Sequence, residues 1–312
     1  MGFRHKHLLG IQNLSRSDIL ALLDTTDSML EISRREAKKV PALRGKTIIS
    51  LFYEPSTRTR SSFELAAKRL SADISNFSQQ TSSVIKGESL KDTVLNLEAM
   101  KTDAIIIRHS ASGAPYFLST FCKSHVINAG DGMHEHPTQA LLDAYTIRQE
   151  RGTIAEQKIV IVGDILHSRV ARSNIYLLTK LGARVVLSGP PSLLPKLFTK
   201  FKTQVEYNMD RAVEGADVIM MLRIQHERQT DNLIPSIREY RELFGLTTAR
   251  FHRAKSNAII MHPGPINRGV ELSTNLADCT KSVILKQVEN GIAVRMAVLY
   301  LLLGGKSRDT IN

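Results

Sequence analysis

At 312 residues the chain is too long for one average domain and natural for two of about 150, each able to bury a core. Hydrophobic residues make up 42% and charged residues 23%, a globular balance that excludes a disordered chain. The net charge of +12, from 42 Lys and Arg against 30 Asp and Glu, is scattered without a run of five, and no zinc-finger spacing or RNP-like aromatic motif accompanies it, so small anionic ligands fit it better than nucleic acid.

In chain order, MGFRHKHLLG has basic residues but no apolar signal segment, and Gly2 lacks the Ser or Thr that a myristoylation signal requires. Ser15 and Ser17 ahead of Asp18 predict an opening helix with Ile19, Leu22, Leu23 and Leu30 on one face. Strands are predicted at Thr47 to Phe52, Ala104 to Ile107 and His125 to Asn128, with helices near 57 to 70, 88 to 100 and 137 to 149. The second half repeats the theme with strands at Lys158 to Val162, Arg184 to Leu187, Asp217 to Met221 and Ala258 to Met261. Nearly continuous apolar strands separated by helices predict an α/β fold: two α/β domains, each with a mainly parallel sheet flanked by helices. The boundary is expected near Glu150-Arg151-Gly152, a charged helix end followed by a glycine. The last helix, about 284 to 303, can belong to either domain. Its apolar stretch, Met296 to Leu303, is less than half of the roughly 20 residues a membrane span needs. Cys122 and Cys279 lie far apart without CxxC spacing, as in a reducing compartment, and a cytoplasmic location is expected.

The stretch YEPSTRTRSSFELAAKRL, Tyr53 to Leu70, crowds cations and hydroxyls where a strand passes into a helix. Pro55 sets a turn, and Ser56-Thr57-Arg58-Thr59-Arg60 begins a helix whose inner face includes Phe63, Leu65, Ala66 and Leu70. Free N–H groups and the positive dipole end attract an anion, and hydroxyls with a guanidinium complete a cradle for phosphate or carboxylate. An ordinary N-cap explains one hydroxyl but not the cluster. Other phosphate motifs fail: Gly45-Lys46-Thr47 has Val40 where a P-loop needs its first glycine, Gly305-Lys306-Ser307 has Tyr300 there, and Gly163-Asp164-Ile165 does not continue as GxGxxG. His134-Glu135-His136 hints at a metal, but histidines two apart diverge on a helix and no HExxH or further Cys/His cluster supports one. Pro137 at a helix start instead puts His136 at the N-terminus, where a neutral imidazole is favoured over a cation.

Taken in order, FYEPSTRTR, DGMHEHPTQALLD, GDILHSRVARSN, LLRIQHERQ and MHPGPINRGVE resemble the catalytic chains of the aspartate carbamoyltransferase family, from about residue 7 to residue 303. STRTR and HPTQ are shared by carbamoyltransferases generally, whereas His262-Pro263-Gly264-Pro265 stands where ornithine enzymes carry a cysteine-containing HCLP motif. The resemblance implies a carbamoyl phosphate-binding domain over 1–150, joined by the C-terminal helix at about 284–312, and an aspartate-binding domain over 151–283. It implies carbamoyl transfer from carbamoyl phosphate to the amino group of L-aspartate, an early step of pyrimidine synthesis, without cofactor or metal. Ser56, Thr57, Arg58, Thr59 and Arg108 are then expected on the phosphate, with Arg58, Thr59 and His136 polarising the carbonyl oxygen. Gln139 and the backbone at Gly264 and Pro265 are expected on the carbamoyl group, and Arg169, Arg223 and Gln225 on aspartate, with Arg172 as the alternative to Arg169. In the family a serine and a lysine reach into the neighbouring subunit's site. Lys86 matches that lysine and Ser82, or its neighbour Ser83, matches the serine. A homotrimer with sites between subunits is implied, and a regulatory or dihydroorotase-like partner chain is compatible with it.

Two other readings stand beside this one. A carbamoyltransferase for another amino acceptor would lack the strict dicarboxylate requirement that Arg169 and Arg223 predict. A noncatalytic basic relative would bind duplex DNA with a strong salt dependence.

Overall fold

The computed structural model describes residues 3–78, 88–224 and 236–304. The chain forms two compact units, Met1–Leu142 with Glu289–Asn312, and Asp143–Val288.

The first unit opens with α1, Arg16–Arg34, headed by a reciprocal capping box between Ser15 and Asp18. Its buried stripe of Ile19, Leu22, Leu23, Met29 and Leu30 includes the residues the spacing predicts. Next come β1 (Thr47–Phe52), α2 (Thr57–Arg69), β2 (Asp73–Ser78), α3 (Leu90–Ala99), β3 (Ala104–His109), α4 (Ala114–Ser119), β4 (His125–Asp131) and α5 (Pro137–Arg151). The four strands pair in the order β2-β1-β3-β4, and each pairing is parallel. Ile49 and Leu51 of β1 pack with Ile105 and Ile107 of β3, and with Val94, Leu97 and Leu118 of the covering helices. Each such fully buried side chain contributes about 1.5–3 kcal/mol. Leu8 adds a short parallel rung beside Ile127, bonding to Val126 and Asn128. The edge strand β2, with the sequence DISNFS, has no apolar run to announce it, because an edge strand leaves much of its surface in water.

The second unit continues from α5 through β5 (Lys158–Val162), α6 (Arg169–Lys180), β6 (Arg184–Ser188), β7 (Gln204–Val205), α7 (Met209–Val213), β8 (Val218–Met221), α8 (Ile237–Phe244), α9 (Thr248–Phe251), β9 (Ile259–Met261) and α10 (Thr274–Ala277) to the start of α11 (Ile284–Leu303), which from Glu289 onward belongs to the first unit. Its five strands pair in the order β7-β6-β5-β8-β9, again all parallel. The core on one face gathers Val160, Val162, Ile219, Met221, Tyr240, Phe244 and Ile260. The seven predicted strands are present, two with the predicted bounds and five with one end differing by one to three residues. The two-residue β7 is too short for a periodic signal. The division between units falls inside α5, between Leu142 and Asp143, whereas Gly152, with a φ of +74°, ends the helix where the sequence marks a boundary. A helix stop is written in local chemistry; compactness depends on which side chains pack together. Among the described residues no helix is long and apolar enough to cross a membrane.

In both sheets the strand order reverses at one point. The chain leaves β1 for β2 on one side and returns to β3 on the other, and it leaves β5 for β6 and returns to β8. The carboxyl ends of β1 and β3, and of β5 and β8, are therefore topological switch points, where open α/β sheets bind ligands.

Candidate active site

In the first unit, β1 runs out at Phe52 and α2 begins at Thr57, with Ser56 as its N-cap. Ser56 makes no side-chain capping bond, in contrast to Ser15, Ser89, Ser168 and Ser236, each of which accepts a backbone N–H of its own helix. The first turn of α2 holds no acidic residue, so the dipole end is not neutralised from within the helix. Thr57 and Arg58 are exposed and Thr59 is buried against the unit. Across the switch point, Arg108 ends the pairing of β1 with β3, opposite Phe52. Its Nε lies 3.3 Å from Glu54 Oε2, and its Nη1 donates to the Ala129 carbonyl at 3.3 Å. Glu54 stands within YEPSTRTR, beside the expected anion-binding residues, but nothing in that segment alone marks it as a partner of Arg108. The signal that identifies it is the adjacency of β1 and β3.

His136 closes the loop from the next strand, β4, to α5 and is buried, as is Gln139 in the first turn of that helix. Its two neighbours in the His-Glu-His triplet are committed elsewhere. Glu135 accepts the backbone N–H groups of Ile11 (2.7 Å) and Gln12 (3.2 Å). His134 bonds through Nδ1 to Asp131 at 3.1 Å. Asp131 also accepts from the Gly113 N–H, the Asn128 side chain and the Glu135 N–H. Burial alone would raise the Asp131 carboxyl, but the His134, Gly113 and Asn128 hydrogen bonds outweigh it and hold the group below its ordinary value. The loop that delivers His136 is thus built around a buried carboxylate, whose most distant partner in sequence is Gly113. Beside Arg108, burial holds the His109 ring below its usual range, opposed by Glu54 and Asp131, and its Nδ1 accepts the Ala111 N–H at 2.9 Å. Among the described residues no three His, Cys, Asp or Glu side chains are grouped to hold a metal ion.

In the second unit, Gly163 follows β5 with a φ of +136°, and a Cβ there would stand 2.9 Å from the Cβ of Leu222, just past β8. Glycine therefore lets the two strand ends approach closely. Asp164 accepts the His167 backbone N–H and faces its ring, each at 3.0 Å, shaping the turn into α6. Ser168 caps that helix through the Ala171 N–H, and the buried Arg169 is its first residue. Arg172 instead points back to the Leu166 carbonyl, at a long 3.5 Å. Arg223 lies two residues beyond the end of β8 and is half-buried. Past β9 comes the His262-Pro263-Gly264-Pro265 loop, with a cis Gly264–Pro265 bond and Gly264 at a φ of +68°. Ser82, Lys86 and Gln225 fall outside the described residues. Among the described residues, each unit by itself brings the expected ones near the ends of neighbouring strands: β1, β3 and β4 in the first, β5, β8 and β9 in the second.

Two family descriptions match successive parts of the chain. Residues 6–149 match the family described as aspartate/ornithine carbamoyltransferase, carbamoyl-P binding domain. Residues 155–302 match the aspartate/ornithine carbamoyltransferase Asp/Orn binding domain. The aspartate carbamoyltransferase catalytic subunit of Syntrophotalea carbinolica is 59% identical over 99% of both chains. The aspartate transcarbamoylase of Trypanosoma cruzi in complex with carbamoyl aspartate and phosphate is 30% identical, with a TM-score of 0.88 over 96% of this chain and 97% of that one. The ornithine carbamoyltransferase of Pyrococcus furiosus is also 30% identical, with a TM-score of 0.87 over 98% and 99%. The chain belongs to the aspartate/ornithine carbamoyltransferase family. Near-equal likeness to an aspartate and an ornithine enzyme means that the fold does not choose the acceptor; side chains must.

Proposed function

We infer that this chain is the catalytic chain of an aspartate carbamoyltransferase, which moves the carbamoyl group of carbamoyl phosphate to the amino group of L-aspartate, giving N-carbamoyl-L-aspartate and phosphate in pyrimidine synthesis. The observation that carries this reading is the pair of switch points, one headed by an uncapped helix start with Arg58 and Arg108, the other by Arg169 and Arg223. The first suits a phosphate, and the second suits an acceptor with two carboxylates, which forked guanidinium groups bind better than lysine does.

In the transfer, the aspartate nitrogen attacks the carbamoyl carbon, the C–N bond forms as the C–O bond to phosphate breaks, and the amine proton passes to the departing phosphate. Ser56, Thr57, Thr59, Arg108 and the N–H groups opening α2 hold the phosphate. Arg58, Thr59 and His136 stabilise the carbonyl oxygen as it gains charge, where one well-placed donor is worth about 3–4 kcal/mol. Gln139 and the Pro265 carbonyl take the carbamoyl NH2. Arg169, Arg223 and Gln225 take the aspartate carboxylates.

Product formation by the purified chain, assayed with L-aspartate and L-ornithine in parallel, tests the reading. Turnover with aspartate alone supports it, and turnover with ornithine or with neither acceptor overturns it. The same reading includes a homotrimer in the cytoplasm, with Ser82 and Lys86 entering the neighbouring subunit's site. Inactive Lys86→Ala chains then regain part of their activity when reassembled with inactive Arg58→Ala chains. No recovery in properly formed mixed trimers rejects the shared site.

A further inference from the structure

We propose that His262 and Glu271 are positioning residues for the transfer reaction: the pair sets the Gly264–Pro265 backbone and, through Asn267, the segment carrying Arg223. The proposal rests on the role assigned above to the Pro265 carbonyl. Both side chains are fully buried in the second unit. The Gly264 N–H donates to His262 Nδ1 at 2.7 Å. A backbone N–H can only donate, so Nδ1 carries the lone pair and the ring proton sits on Nε2, 3.1 Å from Glu271 Oε1. The carboxylate thus selects the tautomer that can grip the loop, the arrangement by which an acceptor behind one ring nitrogen orients the other.

Glu271 Oε1 also accepts the Asn267 backbone N–H at 2.6 Å, and the Asn267 side chain donates to the Ile224 carbonyl at 3.3 Å, one residue past Arg223. One carboxylate therefore governs both the loop past β9 and the strand exit past β8. A second chain of bonds anchors the histidine from behind. The His262 N–H donates to Gln287 at 3.0 Å, and Gln287 donates to the buried Asp143 at 2.8 Å. Asp143 also accepts from Asn174, on the helix that Arg169 opens, at 2.8 Å. A carbonyl contact needs this support because a backbone group cannot choose its direction independently of its loop, and misplacement by about 1 Å can lower a rate about 100-fold.

Three variants of the full chain and one measurement on the unmodified protein test this. His262→Gln keeps a donor at the reach of Nε2 but removes the acceptor for Gly264; we expect kcat to fall about 100-fold with the aspartate KM little changed. His262→Asn places its Oδ1 near the position of Nδ1 and should recover at least a tenth of normal kcat. Glu271→Ala releases Asn267 as well, so it should lower kcat and raise the aspartate KM together. Asn no better than Gln at position 262, or losses of kcat that simply follow losses of melting temperature, would overturn the proposal. Should the variants fail to fold, nitrogen-15 NMR of the unmodified protein still decides, since the proposal requires His262 in its Nε2–H form and an Nδ1–H ring would end it. If the unmodified chain makes no carbamoyl-aspartate, the underlying functional reading has failed instead, so the two failures are distinguishable.

Discussion

Ser56 and Ser168 each head a helix that follows the C-terminal end of a strand at a switch point, β1 in one unit and β5 in the other. Ser168 turns its hydroxyl onto the Ala171 N–H and seals the start of α6, whereas Ser56 makes no such bond. Neither helix has an acidic residue in its first turn, although α1, α3 and α8 all do. On the proposed function the difference follows from the two ligands. A phosphate dianion is small and has acceptors on every side, so main-chain N–H groups and a helix dipole serve it well, provided nothing in the chain occupies them first. An amino acid with two carboxylates has to be held at two separated points, which suits long guanidinium arms. Its helix start can then be closed, with the side chain of the next residue, Arg169, proposed to carry the recognition.

The largest break in this comparison should come at Arg58, where one guanidinium is assigned to both phosphate and carbonyl oxygen. Arg58→Ala should lower kcat about 1000-fold, at the upper end of the cost of one lost oxyanion donor. Because Arg58 is exposed, its melting temperature should stay near that of the parent chain. A steady-state assay beside a thermal scan checks both, and a parental kcat would remove Arg58 from the oxyanion site. On the acceptor side, Arg223→Lys keeps the charge but loses the fork, so it should raise the aspartate KM about tenfold while the carbamoyl phosphate KM stays put. Equal increases for both substrates would mean that Arg223 does not separate the two halves.

How much of this was readable in the sequence depends on how far each feature reaches along the chain. The placement of STRTR, Arg108, Arg169 and Arg223 at strand exits was legible because strand, turn and helix start are neighbours in sequence. Glu54 against Arg108 was not, because their pairing needs the adjacency of β1 and β3, 54 and 108 being far apart in the chain. The carboxylate of Asp131 was legible only in part: Asn128, His134 and Glu135 are close to it in sequence, but Gly113 reaches it only when the loop beyond β3 folds beside the end of β4. The same holds for Asp143, whose amide partners Asn174 and Gln287 sit on two other helices. Edge strand β2 escaped for the opposite reason: it is local but polar, and apolar periodicity is silent there.

The smallest expected effects give the sharpest test of the contrast between the helix starts, because they should appear in different measurements. Ser168→Ala removes a bonded cap and should cost about 1 kcal/mol of stability, seen as a fall in melting temperature of about 2–4 °C. It should leave the carbamoyl phosphate KM unchanged, since the hydroxyl is already committed to the Ala171 N–H. Ser56→Ala should do the reverse. With no capping bond to lose, the melting temperature should hold within about 1 °C, while loss of one hydroxyl donor to a charged phosphate, worth about 1.5–3 kcal/mol, should raise the carbamoyl phosphate KM about tenfold or more. If Ser56→Ala instead melts early and binds its donor normally, that serine is an ordinary cap in solution and the phosphate is held by the arginines and threonines around it.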